Sequence, residues 1–246
     1  MVAKTNLMST GSSILVAAGA LAIGLSAAVS SASTVTIYNT GTDNSGTVLG
    51  NGVGAPNYTI VSAPSSQGTK LAVYNSSAGY PGTAWIGPNT TSAWIAPASG
   101  QAYASSPPTF GLPGNYDFQT TFTSATAGLI TISGQWTTDN NGSGISIDGV
   151  AAAMTSAELP GPTGYSSFTT FNITGNVVAG SNTLDFLLAN GSTAANTDGA
   201  NPVGLRVQIS GADVVAALPV PGTGPLAALG GLAITGALVL RRRVGL

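Results

Sequence analysis

The chain has 246 residues, 43% apolar and only 6% charged, with six cations, eight acids and a formal net charge of −2. A real core can be buried, but charges are far scarcer than the roughly 25% of ordinary soluble domains, so the polar surface must come from Ser, Thr, Asn and Gly. Neither cysteine nor histidine occurs, which excludes a disulfide framework, a thiolate metal site and an ordinary Ser-His-Asp triad.

The chain opens with Lys4, then an apolar run from Ile14 to Leu25, then the small residues Ser30-Ser31-Ala32. This is the layout of a secretory signal peptide, a helix over residues 1–32 that is cleaved after Ala32. The alternative is a membrane anchor that stays attached.

Residues 33–217 read as strands. The β-branched or alternating runs are Thr34–Tyr38, Lys70–Tyr74, Tyr116–Phe122, Leu129–Trp136, Phe168–Ile173, Thr183–Leu188 and Leu205–Ile209, separated by Asn, Gly, Asp and Pro clusters. Ile145–Asp148 runs into an Asp-Gly turn, and Gly180-Ser181-Asn182 launches the strand that follows. No helical period of useful length interrupts them. The 34 Gly and 14 Pro also fit a turn-rich fold. The expected fold is all-β, an antiparallel jelly-roll-like sandwich, flanked by the signal helix and a short C-terminal transmembrane helix. Segment 39–113 is less regular, and one domain is expected because neither half shows a complete strand set.

The body carries two cations, Lys70 and Arg206, against all eight acids, a net charge of −6. It therefore lacks the basic footprint that nucleic acid needs. Arg206 alternates with Leu205 and Val207, so it should face out or pair with a carboxylate such as Asp185.

Three features could carry chemistry. Trp85 and Trp94 are each flanked by Pro/Gly-rich turns and are candidate carbohydrate-binding residues, since aromatic faces stack on sugar rings; core packing is the alternative. Trp136 reads as core. Asp139, Asn141 and Ser143 place hard oxygen ligands at alternate positions before Gly144, the front of a calcium loop. The twelfth position is Val150 rather than a bidentate Glu, so an EF-hand is excluded, and a weaker Ca²⁺ site or a plain polar turn remains. Glu158, the only Glu, has no second acid to converge with as a glycosidase requires. With Lys70 the sole substitute base for a Ser nucleophile, no catalytic residue is assigned.

Residues 218–246 form a third unit. Val220, Pro221, Gly222, Thr223, Gly224 and Pro225 precede an apolar stretch from Leu226 to Leu240, which Arg241, Arg242 and Arg243 close. The stretch is shorter than the roughly 20 residues of a relaxed spanning helix. The Arg cluster should hold the end on the cytoplasmic side as a membrane stop.

This tail resembles the PEP-CTERM class of sorting signals in its three-part layout, without the Glu of the Pro-Glu-Pro core. It is closer to the variant signals that start with Val-Pro. The resemblance implies processing by an exosortase-like membrane enzyme and transient anchoring in the inner membrane. Val220–Gly224 is also one residue from the Leu-Pro-x-Thr-Gly sortase motif, which would place the cut between Thr223 and Gly224. The order Trp136, Asp139–Gly142, Ile145–Gly149, Phe168–Phe171, Gly180–Phe186 and Gly204–Val207 resembles galactose-binding-like jelly rolls of PEP-CTERM-bearing surface proteins. These resemblances imply a non-catalytic cell-surface or extracellular-matrix protein, with polysaccharide as the other partner. The alternatives are a lectin-like carbohydrate-binding module and a sortase-type wall-anchored protein.

Overall fold

In a computed structural model, which describes residues 32–64, 70–74, 84–87, 89–97, 112–191 and 202–217, the alternating runs become eleven strands. They are β1 (Ala32–Thr34), β2 (Thr59–Ser62), β3 (Leu71–Tyr74), β4 (Trp94–Pro97), β5 (Gly114–Ser124), β6 (Gly128–Asp139), β7 (Asn141–Ile147), β8 (Val150–Ala151), β9 (Thr169–Val177), β10 (Gly180–Asn190) and β11 (Gly204–Ala216). Two three-residue 3-10 turns, Ser156–Glu158 and Gly164–Ser166, lie between β8 and β9. The signal segment before Ala32, the Val220–Pro225 motif, the apolar stretch and Arg241–Arg243 lie outside the described residues. No helix among the described residues is long and apolar enough to cross a membrane.

Every strand pairing is antiparallel. One sheet runs β3-β4-β11-β6-β9, with β1 also on β11, and the other runs β2-β5-β10-β7-β8. The strands of segment 39–113 thus join both layers of one sandwich, β2 in the second sheet and β3 and β4 in the first. Period-two alternation puts Phe118 and Phe122 of β5 inside and Thr121 and Thr123 outside. Phe186 of β10 meets Trp136 of β6 across the layers, ring centroids 5.6 Å apart, with both side chains fully buried.

The first strand is shorter than its sequence suggests. Regular pairing ends at Thr34, although residues 35–40 continue along β11, with Val35 N donating to Ala212 O and Thr40 N to Val207 O. On its other side, in the ladder with β6, β11 carries a bulge between Ile209 and Gly211. Side chains fill the gap: Val207 N donates to Thr40 Oγ1 (2.9 Å) and Ile209 N to Asn39 Oδ1 (2.6 Å).

The turns follow their residues. Asp148 (φ 50°) and Gly149 (φ 74°) close the β7–β8 hairpin with the two positive φ angles that such a turn needs. Asn182 Nδ2 donates to Val178 O (3.0 Å) and Gly180 O (2.9 Å), stitching the β9–β10 turn.

Candidate functional site

The outer face of the first sheet is built up at one end. Tyr74 and Trp94 are register partners on β3 and β4, and Trp85 crosses over them from the segment before β4. The Trp85 and Trp94 rings lie 4.1 Å apart, and Tyr74 meets Trp85 edge-on at 6.4 Å. Gly204 makes this possible: a Cβ there would stand 2.5 Å from Trp85 Cη2. Trp85 Nε1 donates to Asp139 Oδ2 (2.7 Å), and Trp94 Nε1 donates to Ile86 O (3.1 Å). Both tryptophans are buried. This corrects the expectation of two loop tryptophans offering ring faces to a sugar, because each ring is already covered by the other and by the sheet.

The calcium-loop reading is corrected for a similar reason. Asp139 ends β6, the chain turns at Asn140, and Asn141 enters the other sheet as the first residue of β7. Both Asp139 oxygens are used, Oδ2 by Trp85 and Oδ1 by Asn140 Nδ2 (2.7 Å). Ser143 is exposed on β7 while Asp139 is buried, so the three oxygens do not converge. Among the described residues no group of three or more acids gathers that could hold a metal. Burial pushes the Asp139 carboxyl up to about 6, with the Trp85 bond acting against the rise.

Arg206 faces outward on β11, as its alternation predicts, yet it is fully buried. The segment before β4 roofs it: Nε donates to Ser92 Oγ (2.8 Å), and Nη1 to Gly87 O (2.6 Å) and Ile86 O (3.2 Å). The guanidinium carbon lies 5.2 Å from the Phe168 ring centroid, and Nη2 has no hydrogen-bond partner. Desolvation pushes Arg206 down to about 10.

The suggested pairing with Asp185 is corrected. Asp185 belongs to β10 in the other sheet, where it accepts from Gln119 Nε2 (2.8 Å) and Ser146 Oγ (3.0 Å). Beside it, Asp117 keeps a buried Oδ1 without a partner, and burial followed by the Asp185 charge pushes its carboxyl up to about 6. Glu158 is occupied structurally, accepting from the backbone N–H of Thr155 (2.6 Å) and Asn172 (3.1 Å).

A hydrogen-bond chain leads from Arg206 to the surface. Ser92 Oγ also accepts from Gln208 Nε2 (2.9 Å), and Gln208 Oε1 accepts from Gln135 Nε2 (2.6 Å). With Ser92 Oγ accepting from both Arg206 and Gln208, the Gln135 carbonyl oxygen stands at the outer end of this chain. Gln135 and Gln208 are paired directly in the β6–β11 register, just before the bulge. They line a groove of about 290 Å³ together with Thr91, Gly134, Thr170, Ile209 and Ser210. The lining holds two amides and three hydroxyls and no charged side chain. Such groups read hydroxyls, by donating to and accepting from them.

Gln135 and Gln208 belong to no motif in the sequence, and their adjacency is a property of strand register.

The described residues thus define an antiparallel β-sandwich with a neutral, amide- and hydroxyl-lined groove on one outer face. No family model and no curated protein matches the chain. Among solved structures, it is similar to the CBM35 from Paenibacillus barcinonensis, at 17% identity and a TM-score of 0.32, covering 65% of this chain and 98% of that one. It is also similar to a family 35 carbohydrate binding module from Clostridium thermocellum, at 13% identity and a TM-score of 0.30, covering 65% and 98%. A third is the GH26-CBM35 β-(1,4)-mannanase from Podospora anserina, at 14% identity and a TM-score of 0.30, covering 67% and 29%.

Proposed function

We propose that this chain is an exported, non-catalytic surface or matrix protein whose sandwich holds a neutral polysaccharide in the Gln135–Gln208 groove. The observation that carries the binding half is the groove's uncharged lining, with its two amides held by a hydrogen-bond chain that runs back to Arg206. A neutral glycan offers hydroxyls at a density that such a surface can match, whereas an anionic ligand would find no exposed cation there. The test is a broad glycan array, followed by affinity electrophoresis on whichever neutral polysaccharide is retained. Wild type should be retained, and Gln135→Ala and Gln208→Ala should each weaken binding by about tenfold or more, since each removes a directed hydrogen-bonding group. Binding unchanged in both variants, or an array with no neutral glycan retained, would reject the reading.

The export half rests on the two apolar ends and on a body nearly without basic residues. In this reading the Val220–Pro225 segment is where an exosortase-like enzyme, or a sortase, releases the protein from a transient inner-membrane anchor. Mass spectrometry of the protein recovered from its host should give termini near Ser33 and Val220. A mature chain that keeps Arg241–Arg243 would instead identify a permanent anchor.

A further inference from the structure

Register brings the two ends of the sandwich domain together. Ser33 of β1 pairs with Val214 of β11, so the chain enters and leaves side by side. The same pole holds the β5–β6 and β9–β10 turns, because Ser124 pairs with Gly180 and Gly128 with both Val177 and Ala216.

This pole is unusually apolar. Of the six large hydrophobic residues exposed among the described residues, three stand there: Leu129 (49% exposed), Val178 (57%) and Val215 (48%). Leu129 and Val215 are direct register partners on the outer face. The acids nearest to it are engaged by the protein itself: Asp148 Oδ1 accepts from Thr183 N (2.7 Å) and Asp213 Oδ1 from Thr34 Oγ1 (3.0 Å). Neither Lys70 nor Arg206 is at this end, since Leu71 pairs with Pro97 beyond Ile95, which pairs with Leu205 near the start of β11.

The length of chain beyond β11 says what covers such a surface. Eight residues separate Ala217 from Leu226, where the apolar stretch begins, and the nine steps that join them reach about 30 Å at most. A tail inserted in a bilayer therefore holds this pole, and not the groove-bearing part of the sheet, closest to that bilayer. We infer that the pole is a lipid-docking surface, on which Leu129, Val178 and Val215 seat in the boundary between headgroups and acyl chains. The tether supplies the local concentration that three aliphatic side chains would lack on their own. With no basic residue at the pole, docking is apolar and independent of anionic lipid. The inference rests on the anchoring reading above.

The absence of cysteine makes single-cysteine labelling unambiguous. The full chain is placed in phosphatidylcholine vesicles with an environment-sensitive fluorophore on Ala179→Cys or Ala125→Cys at the pole, or on Asn115→Cys at the far end. Nitroxides on the lipid chains near the headgroup should quench the first two labels and leave the third unchanged. In the Ala125→Cys background, Val178→Ser with Val215→Ser should abolish quenching while the protein still floats with the vesicles. Flotation without quenching at either pole label overturns docking and leaves anchoring intact. Failure to float overturns anchoring, and docking with it. Equal quenching at all three labels, or quenching that requires anionic lipid and disappears in salt, also overturns the inference.

Discussion

Replacing Trp136 with Ala should cost about 3–5 kcal/mol, the range for emptying a large aromatic site in a well-packed core. Such a loss would take a large share of the roughly 5–15 kcal/mol that holds a domain together. The site cannot close easily around the gap. Trp136 is fully buried on β6, its ring meets Phe186 across the sandwich at 5.6 Å, and its Nε1 donates to Glu158 O (2.8 Å). On the remaining side the wall is backbone: a Cβ at Gly142 would come 2.6 Å from Trp136 Cη2. One side chain therefore ties β6 of the first sheet to β7 and β10 of the second and to the turn that carries Glu158. Trp136→Phe keeps the ring but leaves the Glu158 carbonyl without its donor, for a smaller loss of about 1–2 kcal/mol. Urea unfolding should show the midpoint falling in the order wild type, Phe, Ala, with an unchanged slope. A loss under about 1 kcal/mol for the Ala variant, no more than an ordinary substitution, would mean that the two sheets are held elsewhere.

What the sequence could reveal was decided by the range of the interaction. Strands such as β5 and β10 were legible because a half-buried strand writes its period of two into adjacent residues, as Tyr116, Phe118 and Phe122 do against Asp117, Gln119 and Thr121. The Asp148-Gly149 turn was legible for the same local reason. Arg206 was read with the correct orientation and the wrong environment. It does point away from the core of the sandwich, but the roof that buries it comes from Ile86, Gly87 and Ser92, more than a hundred positions earlier. For the two turn-flanked tryptophans, sugar stacking and core packing were both open in the sequence, and that same distant roof is what buries them. Asp139 looked like an ion ligand because its neighbours Asn141 and Ser143 are polar, whereas the group that claims it is an indole from residue 85. The Gln135–Gln208 pair had no local signature, because its meaning depends on the register of two strands and on a bulge.

Stability should rise as the medium is made acidic from neutrality, the reverse of ordinary acid sensitivity. Asp117 and Asp139 are both pushed up to about 6, in each case first by burial. The folded protein therefore takes up protons between about pH 4 and 6 that the unfolded chain, with Asp near 3.9, does not bind. Unfolding free energy then falls as pH rises through that window and levels off above it. Asp139, mostly buried, contributes about 2–3 kcal/mol at most, and Asp117, half exposed, well under that once solvent screening is allowed for. Asp43 and Glu158 act in the opposite sense below the window. Hydrogen bonds hold both below their usual values, for Asp43 first from Ser45 and for Glu158 first from the Thr155 backbone, so the stability they confer is lost as acid protonates them in the folded state. The maximum should therefore lie near pH 4–5, at the lower edge of the window in which Asp117 and Asp139 titrate. Asp117→Asn separates the contributions, since it removes the repulsion from Asp185 without taking away a hydrogen bond from Oδ1, which has none. The variant should be more stable than wild type at pH 7, equal to it near pH 4, and correspondingly flatter in between. Urea midpoints measured from pH 4 to 7.5 give the comparison. A midpoint that declines steadily on acidification from pH 7, with Asp117→Asn tracking wild type throughout, would show that neither buried carboxyl is held in its neutral form by the fold.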